Sequence, residues 1–198
     1  MTRITIPLSL AKALAAVTAA VPAIIIIATL FGDDPPPEPV EFLQDETGLW
    51  ALRLLLVTLA LSPLQKLTRW RFAIPIRRPI GVATFFYASV HAASFLVFDQ
   101  LLDPAAILTE TLERPSILLG MTAWLLLIPM ALSSNSFAVR RLGFARWKAL
   151  HRASYLVTVL VCLHFFMLVK VDLSSPILYS ALALALLLWR IWTRSHLR

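Results

Sequence analysis

Four histidines, His91, His151, His164 and His196, stand in a chain that is otherwise mostly apolar. His91 and His164 fall inside the long runs 79–98 and 153–169, neither of which contains Asp, Glu, Lys or Arg. Read as helices, these runs place His91 about 18 Å beyond Pro79 and His164 about 22 Å beyond Ala149. If both spans start from the same side of a membrane, the two imidazoles reach similar depth. Ionisable side chains at such depth are costly and usually functional. A pair at matching depth forms a bis-imidazole clamp of the kind that holds haem iron. The small residues around His91, in the stretch 87–94, let a flat macrocycle or another helix come close.

His151 lies thirteen residues before His164, about 20 Å away along a helix. That spacing suits a second haem nearer the other membrane face, although an ideal helix turns the two histidines roughly 140° apart. His151 also reads as an interfacial histidine among Arg146, Lys148 and Arg152. A partner on the other histidine-bearing helix would fall thirteen or fourteen residues before His91, at Arg78 or Arg77. A guanidinium donates and never ligates iron, so these two suit haem propionates or simple anchoring at the interface. Tyr87 and Tyr155 lie four residues from His91 and His151, close enough for contacts behind the ligands or for plain helix packing. His196, in a basic tail, reads as a solvated surface histidine. Cys162 reads as an inert buried thiol.

The elements that must carry these residues follow from composition. The chain has 198 residues, of which 59% are hydrophobic and 15% charged, which excludes a soluble globular enzyme and a disordered chain. One cysteine excludes a disulfide framework. Six runs are long enough to cross about 30 Å of hydrocarbon, at about 10–32, 48–65, 79–98, 115–137, 149–169 and 173–192. Lipid offers no partner to backbone groups, so each should be a helix. The first run is too long and too poorly flanked for a cleaved signal and is expected to stay as a helix. The Pro- and acid-rich stretch 32–48 reads as a stiff outer loop.

Charge orients the spans. With the amino terminus in the cytoplasm, 15 of the 18 Lys and Arg residues, from Arg3 to Arg198, fall inside; only Arg53, Arg114 and Lys170 fall outside, together with all eleven acids. That split satisfies the positive-inside rule. The formal charge of +7 is therefore a topology charge, and no nucleic-acid partner is expected. Trp50, Trp70, Trp147 and Trp192 fit aromatic belts at the two interfaces. A competing reading, a proton or metal transporter built on histidines without haem, would call for carboxylates deep in a span, and none is there.

These residues also form a wider pattern. Arg77-Arg78-Pro79-Ile80-Gly81 runs on to Phe85, Tyr87 and His91. Ser133-Ser134 precedes Arg140-Arg141-Leu142-Gly143. Trp147-Lys148-Ala149-Leu150-His151-Arg152-Ala153-Ser154-Tyr155 is followed by Leu163-His164. Over the whole chain this closely resembles the MsrQ (YedZ) family, grouped with ferric-reductase-like transmembrane proteins and similar to the membrane half of NADPH oxidases. The resemblance implies an all-α, six-helix, ferric-reductase-like transmembrane domain over residues 1–198, with both termini cytoplasmic, in the bacterial inner membrane. It implies one or two b-type haems, with His91, His151 and His164 as the haem-associated histidines, and a candidate FMN site. It implies electron transfer to MsrP, a periplasmic molybdopterin methionine sulfoxide reductase that performs the sulfoxide reduction and repairs oxidised envelope proteins. The implied donor is the quinone pool or a cytoplasmic flavin reductase. The chain departs from the two-haem pattern at Arg77 and Arg78. No nicotinamide-binding domain is expected after the last span.

Overall fold

The computed structural model describes residues 7–195; Arg3, His196 and Arg198 lie outside the described residues. Among the described residues every regular element is helical, and six helices are long and apolar enough to cross a membrane. The protein is thus a multi-pass membrane protein. Two compact units divide it, one ending at Tyr87 and the other beginning at Ala88.

The amino-terminal unit holds α1 (Leu8–Leu30), α2 (Pro39–Thr68) and most of α3 (Ala73–Ser94). Its core places Ala19 and Ile26 of α1, Leu54 and Leu61 of α2, and Ile80 and Tyr87 of α3 together. Each of those pairs is seven residues apart, two turns, so each helix contributes one stripe. Pro22 lies within α1, where it can supply no backbone N–H. One turn around it, the Tyr87 hydroxyl enters the helix ladder: it accepts from the Ala23 N–H at 2.8 Å and donates to the Ala19 carbonyl at 2.9 Å. A side chain inserted between an i and i−4 pair keeps both backbone groups satisfied where water is absent.

The expected outer loop over 32–48 is shorter than the sequence suggests, because α2 begins at Pro39 and only 31–38 lie between α1 and α2. Pro39 stands in the first turn, where its fixed φ suits a helix and its missing N–H costs nothing, and Glu41 follows at the positive end of the helix dipole. The third helix starts at Ala73, before the expected 79, because Pro75 falls in the first turn and Pro79 is accommodated within the helix.

The carboxy-terminal unit continues α3 into a π-helical turn, Phe95–Asp99. Then come α4 (Pro104–Glu113), α5 (Pro115–Leu132), α6 (Ser136–Leu142), α7 (Phe144–His151), α8 (Ala153–Leu168) and α9 (Ser174–Ser195). The expected fourth span, 115–137, ends early at Leu132. Asn135 turns its carbonyl oxygen onto the Ala138 N–H at 2.7 Å and caps a new helix, α6. Gly143 joins α6 to α7 at φ 78° and ψ 148°, a backbone conformation open essentially to glycine alone. The fifth span, expected from 149, is α7 and α8 read together, tightened at Arg152, whose N–H donates to the Ala149 carbonyl. Asp172 accepts from the Ser174 N–H at 2.9 Å as α9 starts, and that bond holds its carboxyl below the usual carboxylate range. In this unit α5 and α8 form the most extensive helix pair, and α9 packs on α8.

A paired-histidine candidate cofactor site

The structure brings His91 of α3 and His164 of α8 together: their ring centroids are 6.1 Å apart, with planes at 82°. A metal–imidazole bond is about 2 Å, so two in line, with each ring's own radius added, come close to that separation. Both histidines are half-buried.

His164 is oriented by α5. Its Nδ1 lies 2.6 Å from the Ser116 carbonyl. A carbonyl only accepts, so Nδ1 carries the proton and Nε2 keeps its lone pair, the arrangement that a metal-ligating histidine requires. One turn further along α5, Gly120 makes room for the ring. A Cβ built there would stand 2.8 Å from Cε1 and Nδ1 of His164 and 3.3 Å from Nε2. Trp124, another turn on, donates its indole N–H to Ser89 Oγ at 3.1 Å, two residues before His91. Just after His91, Ser94 donates to the His91 carbonyl at 2.7 Å, and the π-helical turn begins.

His151 stands apart from this pair, at the end of α7. Its Nδ1 lies 3.0 Å from the Trp147 carbonyl, so the same reasoning leaves Nε2 with its lone pair; that nitrogen is 3.5 Å from Ser134 Oγ. The Trp147 indole covers the imidazole at 4.1 Å between centroids and donates its own N–H to the Ser133 carbonyl at 3.0 Å. Trp147 therefore does more than sit in an aromatic belt: it fixes His151 through its carbonyl and its ring.

The other singled-out residues are placed as follows. Tyr87 commits its hydroxyl to α1. Tyr155 carries the Arg190 guanidinium over its ring at 5.4 Å. Arg77 is half-buried and Arg78 exposed, both in the first turns of α3. Among the described residues, no three His, Cys, Asp or Glu side chains converge to hold a bare metal ion. Ser116, Gly120 and Trp124 escaped sequence reasoning. Their four-residue spacing puts them on one helix face, but a backbone carbonyl and a missing side chain leave no chemical signal in the sequence.

Residues 47–162 match the ferric reductase like transmembrane component family, which is the class of membrane protein that these helices and paired histidines define. Three relatives are each a protein-methionine-sulfoxide reductase heme-binding subunit MsrQ. The one from Xanthomonas campestris pv. campestris (strain B100) is 45% identical over 161 residues, 81% of this chain and 73% of that protein. The one from Azospira oryzae is 41% identical over 191 residues, 96% of this chain and 82% of that protein. The one from Brucella anthropi is 41% identical over 161 residues, 81% of this chain and 72% of that protein. No solved structure matches the chain. The chain belongs to the MsrQ family.

Proposed function

We propose that the protein is a b-type haem electron-transfer subunit of the bacterial inner membrane. It carries electrons from the quinone pool or a cytoplasmic flavin reductase to a periplasmic molybdopterin methionine sulfoxide reductase of the MsrP type. The observation that carries the reading is the near-perpendicular pairing of the His91 and His164 rings, 6.1 Å between centroids, with the Nδ1 proton of His164 tied to a backbone carbonyl. The donor set fits haem: two imidazoles brought together between apolar helices, with the lone pair of His164 Nε2 available. A bound haem supplies one-electron redox chemistry. His91 and His164 would hold the haem iron between them, and the residues' own part is to keep those ligands still while charge changes. The single proton stays on Nδ1 of His164, donated to the Ser116 carbonyl, so the ligand does not need to change tautomer.

His151 is proposed as the ligand of a second, cytoplasm-facing haem, with Arg77 and Arg78 as holders of haem propionates through fork-shaped guanidinium contacts. The test is a visible spectrum and pyridine-haemochrome count of the purified protein. Low-spin b-type bands are expected, with two haems per chain falling to one in His151→Ala. A parent without those bands would sink the proposal, and a count of one, unchanged in His151→Ala, would remove the second haem. Fluorescence of cofactor released by acid from the same preparation counts FMN.

The orientation is proposed from the 15-to-3 basic split. Reporter fusions within 33–36 and 104–113 are expected to read as periplasmic, and those within 69–72 and 140–146 as cytoplasmic. A cytoplasmic reading at 104–113 would reverse the model of the membrane sidedness.

A further inference from the structure

We propose that the Trp124–Ser89 hydrogen bond sets the rotation at which His91 presents its imidazole to His164, making Trp124 and Ser89 positioning residues of the cofactor site. The inference rests on the haem reading of that site.

Three facts lead to it. First, one face of α5 addresses both histidine-bearing helices. Ser116 and Gly120 act on His164 of α8, while Trp124 reaches Ser89 of α3 at 3.1 Å. Residues at 116, 120 and 124 stack one turn apart, so a single rigid helix serves as the common reference for the two ligands. Second, α3 is weakest in its own geometry where orientation matters most. The regular helix ends at Ser94, three residues after His91, and continues as a π-helical turn. Such turns are uncommon, often occur at functional sites, and relax the register of the residues around them. The carboxy-terminal side of His91 thus departs from regular helix, and a contact to α5 holds the amino-terminal side. Ser89 supplies that contact, only two residues earlier. Third, the bond is directional and lies in a half-buried, apolar setting, where water competes little for either group. A merely space-filling tryptophan would pack equally well through a range of helix rotations, whereas an indole N–H aimed at a hydroxyl selects one.

The quantity under this control is the angle between the two imidazole planes, 82° here. In a bis-imidazole haem that angle governs the anisotropy of the ferric low-spin electron paramagnetic resonance signal. Near-perpendicular planes give a highly anisotropic signal and parallel planes a rhombic one. The experiment compares the full-length parent with Trp124→Phe, Ser89→Ala, their combination and Ser89→Thr, all purified in the same detergent. Trp124→Phe and Ser89→Ala are expected to keep the parent's haem content while the largest principal g value falls and the midpoint potential moves in one common direction. The double variant is expected to move no further than either single one, because both remove the same bond. Ser89→Thr keeps the hydroxyl and is expected to match the parent. If Trp124→Phe does not accumulate, the smaller Ser89→Ala change carries the test. Unmoved signals and potentials in the single variants, or additive shifts in the double one, would overturn the positioning role while the haem reading stands. A parent lacking any low-spin signal would instead overturn the haem reading, and this inference with it.

Discussion

His164→Ala is expected to abolish the low-spin bis-imidazole spectrum, and His91→Ala to do the same. Each histidine is one half of a pair with ring centroids 6.1 Å apart, and α5 fixes His164 through the Ser116 carbonyl. Losing one axial imidazole opens a coordination position, so any haem retained becomes high-spin and reactive toward external ligands. His164→Met separates a lost ligand from a lost fold. A thioether still ligates, so a six-coordinate haem with a raised reduction potential is expected, as methionine–histidine ligation raises potentials generally. Helical content by circular dichroism should match the parent in all three variants, because no helix-forming contact is removed. Parent-like visible spectra and haem content in both alanine variants would show that the pair is not the ligand set.

Much of this site was legible in the sequence, and the reasons are physical. Two histidines within uncharged runs can be assigned a depth from the helical rise alone, and that reckoning puts His91 and His164 at similar depth without any knowledge of packing. The spans were legible for the same reason: lipid demands about 20 apolar residues and a helix. What failed to show were features that depend on local backbone choices. Pro35, Pro36 and Pro37 beside several acids suggested a loop running to residue 48, but Pro39 opens a helix there. The uncharged run after Arg77 and Arg78 points to a span from Pro79, although α3 starts at Ala73 and takes both Pro75 and Pro79. Asn135 ends what looked like one span by capping a new helix. The α5 stripe stayed hidden for a different reason. Ser116 contributes a carbonyl and Gly120 contributes an absence, and neither is a chemical signature that a sequence displays. The hydroxyl of Tyr87 likewise had an evident chemistry nearby in His91, and the backbone around Pro22 claimed it.

Gly120 gives the other large effect. Gly120→Ala should weaken haem binding by about 10- to 100-fold, the range found when a group that orients a metal ligand is disturbed. The added Cβ would stand 2.8 Å from Cε1 and Nδ1 of His164, well inside van der Waals contact. The ring cannot simply swing away, because its Nδ1 is bound to the Ser116 carbonyl on the same helix face. It must either surrender that bond, and with it the fixed tautomer, or tilt its Nε2 off the line to His91. Helix propensity pulls the other way: alanine in a helix interior is favoured over glycine by about 0.8–1.0 kcal/mol. Crowding of the His164 ring opposes this gain in the haem-free protein as well, so the heat resistance of haem-free Gly120→Ala is expected to change little from the haem-free parent's, while haem titration shows the loss of affinity and the retained haem a broadened or partly high-spin spectrum. General damage to the fold would lower both quantities together. Parent-like haem affinity and spectrum in Gly120→Ala would mean that the His164 ring does not need the space that this glycine leaves, and that its orientation in the holoprotein is set elsewhere.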